Sequence, residues 1–219
     1  MARTRRTKNK FTTLARLLSV SAILVLFIGA VVSWRQFNTN SVAQNSSNHH
    51  QSGPSTNKPS DVDFDKHQVP ADESRFIYIP TISVWAMVKS VGVNSKNQIE
   101  APGNVHETGW YTDSAKPGQD GAILIDGHVS SWETHGVFYD LKSLKSGDEV
   151  IIERGDGAKF SYKVVKSQTY PADNVDMQAA LTPINPARPG LNLITCAGEV
   201  IEDTNEFSER IVVFTEQIN

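Results

Sequence analysis

Hydrophobic positions along the chain fall into two kinds of run. The first, from Leu17 to Trp34, reads LLSVSAILVLFIGAVVSW; it carries no charge and is apolar on every side. As a helix it reaches about 27 Å, close to the roughly 30 Å hydrocarbon core of a bilayer. The remaining runs are short and β-branched. RFIYIPTISVWAMV (75–88) alternates and contains Pro80, which suits a strand end or edge. GAILI (121–125) is bounded by Gly121 and by an Asp126-Gly127 turn signal. DEVIIER (148–154), then Gly155-Asp156-Gly157, then KFSYKVVKSQTY (159–170) reads as a hairpin. LNLIT (191–195) and RIVVFTE (210–216) are two further strands. Helical patterns are few, one near Val137–Lys142 and one near Met177–Leu181. The series predicts a mainly β domain, largely antiparallel, closed into a small barrel or a sandwich.

Between the long run and the first strand the composition changes. Asn38 to Pro70 is polar and poor in large apolar residues, too poor to bury enough surface to fold by itself. We read 35–70 as a flexible linker, 71–219 as the folded domain, 17–34 as a transmembrane helix and 1–16 as a basic tail. Arg3, Arg5, Arg6, Lys8, Lys10 and Arg16 crowd that tail with no acidic residue among them, while Trp34 and Arg35 suit the far interface. Basic flanks stay cytoplasmic, so a single-pass protein with its domain outside the membrane is expected. A cleaved signal peptide is the alternative, with Ser41-Val42-Ala43 as its small-residue site; that site lies well past a run already long for a signal sequence. The formal net charge of -3 gives no whole-chain case for nucleic-acid binding. His49 and His50 in the linker read as solvated rather than metal-binding.

Cys196 is the one cysteine in the chain, so it closes no internal disulfide. It is a buried small hydrophobe, an intermolecular partner or a working thiol. It ends the strand LNLIT with Ala197-Gly198 following, and alternation separates it from Leu191, Leu193 and Thr195 and groups it with Asn192 and Ile194. A thiol becomes useful when a neighbouring base takes its proton or a cation raises its thiolate fraction. His128, just past the strand AILI and next to Gly127, is the leading partner, with His106 and His135 as rivals and a solvated loop histidine as the plain alternative. Arg210 opens the last strand. Its plain alternative is a surface arginine paired with Glu199, Glu202, Asp203, Glu206 or Glu209; its functional reading is a permanent cation where an oxyanion develops.

Each of the three lies at the end of a candidate strand, where a barrel can bring them to one rim. Ile125-Asp126-Gly127-His128, Leu193-Ile194-Thr195-Cys196 and Arg210-Ile211-Val212-Val213 together resemble the sortase family of bacterial surface transpeptidases, over roughly Phe76 to Glu216. The stretch GVFYDLKSLKSGDEVII (136–152) is similar to the region after the family's histidine. The resemblance implies an eight-stranded β-barrel with one or two short helices. It implies cleavage of an LPxTG-type sorting signal through a Cys196 thioester, and transfer to an amine from a cell-wall precursor or a pilin lysine. His128 is then general acid and base, Arg210 holds substrate or stabilises the oxyanion, and Thr195 helps form the substrate site. No cofactor or metal is expected; no carboxylates have calcium-loop spacing, and the acidic stretch 199–209 reads as a solvated loop. GHVSS (127–131) and the compact LITCAGE and RIVVF segments look most like class F, with classes D and E next, and the aspartate-proline-aromatic lid of pilus-assembling members is absent. Asp126 departs from the small residue common at that position, and His106 resembles a histidine without a catalytic role. Specificity is expected from 166–190. A mainly hydrolytic thiol protease and a catalytically silent binding barrel are the alternatives.

Overall fold

In the computed structural model, residues 54–218 are described. The expected basic tail, transmembrane helix and first part of the linker lie outside the described residues. Eight strands run as β1 (Ser74–Ile79), β2 (Val84–Val91), β3 (Thr108–Tyr111), β4 (Ala122–Gly127), β5 (Glu149–Arg154), β6 (Lys159–Pro171), β7 (Gly190–Ile201) and β8 (Glu206–Gln217). They close into a barrel in the order β1-β2-β3-β4-β7-β8-β6-β5, with β5 pairing back onto β1. The β2–β3 and β4–β7 pairs are parallel and the rest antiparallel. Closure leaves no free edge in the ring, which is one way an all-β domain avoids edge-to-edge pairing.

Residue parity along three adjacent strands explains why GAILI and LNLI are apolar without alternation. Ile123, Ile125, Leu191, Leu193, Ile211 and Val213 fill the barrel interior. Leu124, Val212 and Phe214 face the other way, into a second apolar cluster with Ala180. That outer layer is supplied by helix α2 (Met177–Ala180), which Asp176 caps by accepting from the Ala179 N–H at 2.9 Å. Strands covered on both faces read as continuous apolar runs. Asn192, fully buried in this layer, donates to the Ala180 carbonyl at 2.8 Å and so ties the helix to β7.

Several elements differ from the pattern reading. The run 75–88 is two strands, broken by a 3₁₀ turn at Pro80–Ile82 and by Ser83 at a φ of 54°. β3 is a four-residue strand, TGWY, too short for alternation to register. The helical signal near Val137–Lys142 is a 3₁₀ turn at Leu141–Ser143. The acidic stretch 199–209 is largely strand, the ends of β7 and β8 meeting in a tight turn with Asn205 at a φ of 56°. Of the expected linker, 54–70 is packed on the barrel. It carries helix α1 (Asp61–Lys66), opened by a Ser60/Asp63 capping box. Phe64 lies with its ring centroid 5.8 Å from Phe76 and 4.6 Å from Trp85, and the buried His67 bonds the Val88 carbonyl through Nε2 at 3.0 Å. Low overall hydrophobicity hid this strap because a few side chains and backbone hydrogen bonds such as Ser55 N–H to the Gly103 carbonyl, not an apolar face, hold it.

Candidate active site

The parity that builds the core also builds the site. On the outer face, beyond Leu124, Ile194 and Val212, the even-numbered positions become Asp126, Cys196 and Arg210. Cys196 and Arg210 are directly paired across β7 and β8, and Asp126 pairs with Ile194 across β4 and β7. His128 follows immediately after β4. Asp126, His128, Cys196 and Arg210 line one cavity of about 560 Å³. Ile99 and Ala101, from the β2–β3 connection, and Val175 and Met177, from the β6–β7 connection, complete its apolar walls. The last two lie inside the span 166–190 expected to carry specificity.

Gly127 and Gly136 fix the turn that presents His128. A Cβ on Gly127 would stand 2.6 Å from the Phe138 ring, and one on Gly136 would strike the His128 carbonyl. Phe138 is fully buried, so the backbone must approach it without a side chain. The Phe138 and Gly136 N–H groups donate to the His128 and Val129 carbonyls, both at 2.9 Å. The imidazole Nε2 lies 2.7 Å from the Pro102 carbonyl. A carbonyl only accepts, so Nε2 donates this bond. Among the described residues the thiol makes no hydrogen bond to this ring.

Thr195 lies on the face of Leu191 and Leu193, as alternation groups it. Being odd in parity it points inward; it is buried, and its hydroxyl donates to the Gly127 carbonyl at 2.7 Å. Its side chain is absent from the cavity lining and instead locks β7 to the residue before His128. The rivals separate cleanly. His106 bonds the Thr56 carbonyl at 3.3 Å, His135 stacks on Tyr139 at 3.4 Å, and neither lines the cavity of Cys196. Arg210 donates from Nη1 to the Phe207 and Glu209 carbonyls, both at 2.9 Å. Among the described residues no ion pair joins it to the acidic side chains that follow β7. Its charge therefore stays available to the cavity.

Burial pushes the Cys196 thiol above its ordinary value. The Arg210 guanidinium opposes this, and Asp126 and Glu206 add to it. Asp126 itself is pushed up to about 7 by burial, against a backbone bond at Gly127 and the charge of Arg210. The site thus holds a thiol that burial keeps protonated, an imidazole in the same cavity and a fixed cation. That set suits nucleophilic attack in which a base takes the thiol proton as attack proceeds. Among the described residues no group of three or more His, Cys, Asp or Glu side chains could hold a metal.

The strap brings residues that sequence reasoning left in a spacer. Pro54 to Asn57 line a second cavity together with His128, Trp132 and Glu133. The one available signal was Ser60-x-x-Asp63, a helix start inside a segment read as structureless.

A family model for the sortase domain matches residues 77–218, more than half of the chain. In fold the chain is similar to a pilus-related sortase C of Group B Streptococcus, at 19% identity over 70% of each chain with a TM-score of 0.52. It is similar to a lid mutant of sortase A from Corynebacterium diphtheriae, at 23% identity over 76% of this chain and 84% of that one, TM-score 0.52. A sortase D5 transpeptidase from Clostridium perfringens matches at 19% identity over 74% and 91%, TM-score 0.50. Among curated proteins no sequence matches the chain.

Proposed function

The chain belongs to the sortase family of cysteine transpeptidases, and from that premise we propose that Cys196, His128 and Arg210 cleave an LPxTG-type sorting signal and pass its acyl group to an amine. The observation that carries the reading is the direct pairing of Cys196 with Arg210 on the outer sheet face, in one cavity with His128. Cys196 Sγ attacks the threonine carbonyl carbon while its proton passes to the imidazole of His128. The developing oxyanion faces Arg210, a donor fixed by two backbone carbonyls before substrate arrives, which lowers the reorganisation needed at that moment. The C–N bond breaks, the departing glycine amine takes the proton from His128, and a thioester remains on Cys196. An amine then attacks the thioester carbon, the C–S bond breaks, and a proton returns to sulfur.

The proposal includes the setting. Residues 17–34 anchor the chain in a bacterial membrane, with 1–16 cytoplasmic and the barrel outside. Substrate and enzyme on one surface would meet at a raised effective concentration. The attached proteins would be surface proteins bearing a C-terminal sorting signal, and the acceptor a cell-wall precursor or a pilin lysine. Within the family we place the chain nearest class F, with D and E next, on GHVSS (127–131) and the compact Cys196 and Arg210 segments.

The test uses the full-length chain in detergent with an LPxTG peptide and triglycine, followed by mass spectrometry beside Cys196→Ala. A Cys196-bound acyl adduct and a ligated product, both lost in the variant, are expected. Cleavage without ligation across several amines would replace transpeptidation by hydrolysis, and no adduct from folded protein would sink the reading.

A further inference from the structure

The sheet register lays the site out in two rows. In the first, Cys196 and Arg210 pair across β7 and β8, and His128 follows the end of β4. One pleat back on the same outer face is a second row, set by the pairs Asp126–Ile194 and Ile194–Val212. Two residues of strand separate the rows, about 7 Å. Ile194 and Val212 are apolar, and Asp126 is the exception in its row. It lines the cavity of Cys196 and Arg210, yet none of the bond-making steps uses it.

The Asp126 carboxyl is short of partners. Gly127 gives it a backbone hydrogen bond, and among the described residues no ion pair reaches it. Arg210 acts on it through space but donates from Nη1 to the Phe207 and Glu209 carbonyls instead. Cys196 and His128 share the cavity and neither is a cation by necessity. The charged side chains that line it are Asp126, Asp173, Glu206 and Arg210, three carboxyls against one guanidinium. Burial outweighs the help Asp126 receives and pushes its carboxyl up to about 7. A cation brought beside such a group restores part of what desolvation took away.

The cavity walls fix which part of a donor peptide passes over Asp126. With the threonine carbonyl between Cys196 and Arg210, the apolar walls of Ile99, Ala101, Val175 and Met177 suit the Leu-Pro end of an LPxTG-type signal. The donor then runs from the first row across the second. An extended peptide advances about 3.3–3.6 Å per residue, so the variable residue x, next to the threonine, lies between the rows. A long side chain at x reaches the carboxyl. We infer that Asp126 is a specificity residue of this chain and selects a sorting signal with lysine or arginine at x, whose charged head pairs with the carboxylate. The inference rests on the transpeptidase reading above and narrows its donor substrate. Asp126 makes and breaks no bond; it decides which peptide is held. The pairing needs an ionised carboxyl, so the preference for a cation grows as pH rises through about 7.

The test sets two LPxTG peptides in competition for the full-length chain in detergent, one with lysine at x and one with norleucine, which keeps the stem and loses the charge. Triglycine is the acceptor, and mass spectrometry reads the ratio of the two cleaved peptides. Competition divides out any change in the reactivity of Cys196, which Asp126→Asn also alters. The unaltered chain should prefer the lysine peptide about fivefold at pH 8, the size expected for a partly exposed charge pair, and clearly less at pH 6. In Asp126→Asn the ratio should fall close to one at both pH values, while turnover of the norleucine peptide shows that the variant is folded. The pH dependence in the unaltered chain is a second test that needs no variant. A ratio near one at pH 8, a ratio that does not change with pH, or a lysine preference that survives in Asp126→Asn would each overturn the inference. Cleavage of neither peptide by folded, unaltered protein would instead remove the transpeptidase reading, and this one with it.

Discussion

Burial alone would hold the Cys196 thiol protonated, and the surrounding charges pull in both directions. Arg210 favours the thiolate; Asp126 and Glu206 oppose it. Asp126 is the informative one because its own carboxyl, pushed up to about 7, changes charge near neutrality. Above that pH it is an anion beside the thiol, and below it is neutral. Asp126→Asn should therefore lower the thiol's pKa only in alkaline solution. The rate of iodoacetamide alkylation of Cys196 should rise on the order of threefold at pH 8, as for a screened charge worth well under 1 kcal/mol, and be unchanged at pH 6. An equal rise at both pH values would mean the substitution opened the site rather than removed a charge.

At the level of elements, the strap and α1 are held to the barrel by few contacts. Phe64 stacks near Phe76 and Trp85, and His67 reaches Val88. Each aromatic pair contributes about 0.5–1.5 kcal/mol beyond the area it buries. Phe64→Ala should cost about 1–3 kcal/mol if folding is two-state, and should raise the rate of limited proteolysis within 54–66 while the barrel stays resistant. Cleavage spread evenly along the chain would show that strap and barrel unfold together. The β7–β8 pair is a different kind of element. Its register places Cys196 against Arg210, and a one-residue slip of either strand would turn that strand's side chain into the core. The hydrophobic set Leu193, Ile211 and Val213 forbids that slip, so the packing of the interior fixes the chemistry outside it.

Across the whole molecule, the site costs stability in a pH-dependent way. Asp126 has an ordinary value of 3.8 and a folded value of about 7. The folded state therefore binds a proton more tightly than the unfolded chain between these values, and stability falls as pH rises through that window and then levels off. His67 works in the opposite sense. Burial and Lys89 lower its pKa, so its contribution rises with pH through the ordinary histidine range. Comparing the unaltered chain with Asp126→Asn cancels His67 and isolates the carboxyl. The variant's melting temperature should match at pH 4 and exceed that of the unaltered chain at pH 8. A gain of equal size at both would attribute the effect to packing.

The sequence by itself determined the class of the domain, most of its strands and the parity that groups Cys196 with Ile194 against Leu191, Leu193 and Thr195. These are properties of local pattern, since alternation and turn residues act over a few positions. LNLIT and RIVVF were legible for that reason; TGWY, four residues long, was not. Tertiary structure alone decided the rest. It set which strands are neighbours, so that β4, β7 and β8 carry Asp126, Cys196 and Arg210 onto one outer face although each comes from a different part of the chain. It bonded the Thr195 hydroxyl to the Gly127 carbonyl, freed Arg210 from the acidic residues near it in sequence, and laid 54–57 beside His128. Side-chain direction at a strand end and contacts between distant segments depend on closure of the barrel. That closure is fixed by the sum of core packing over all eight strands, which no local window contains.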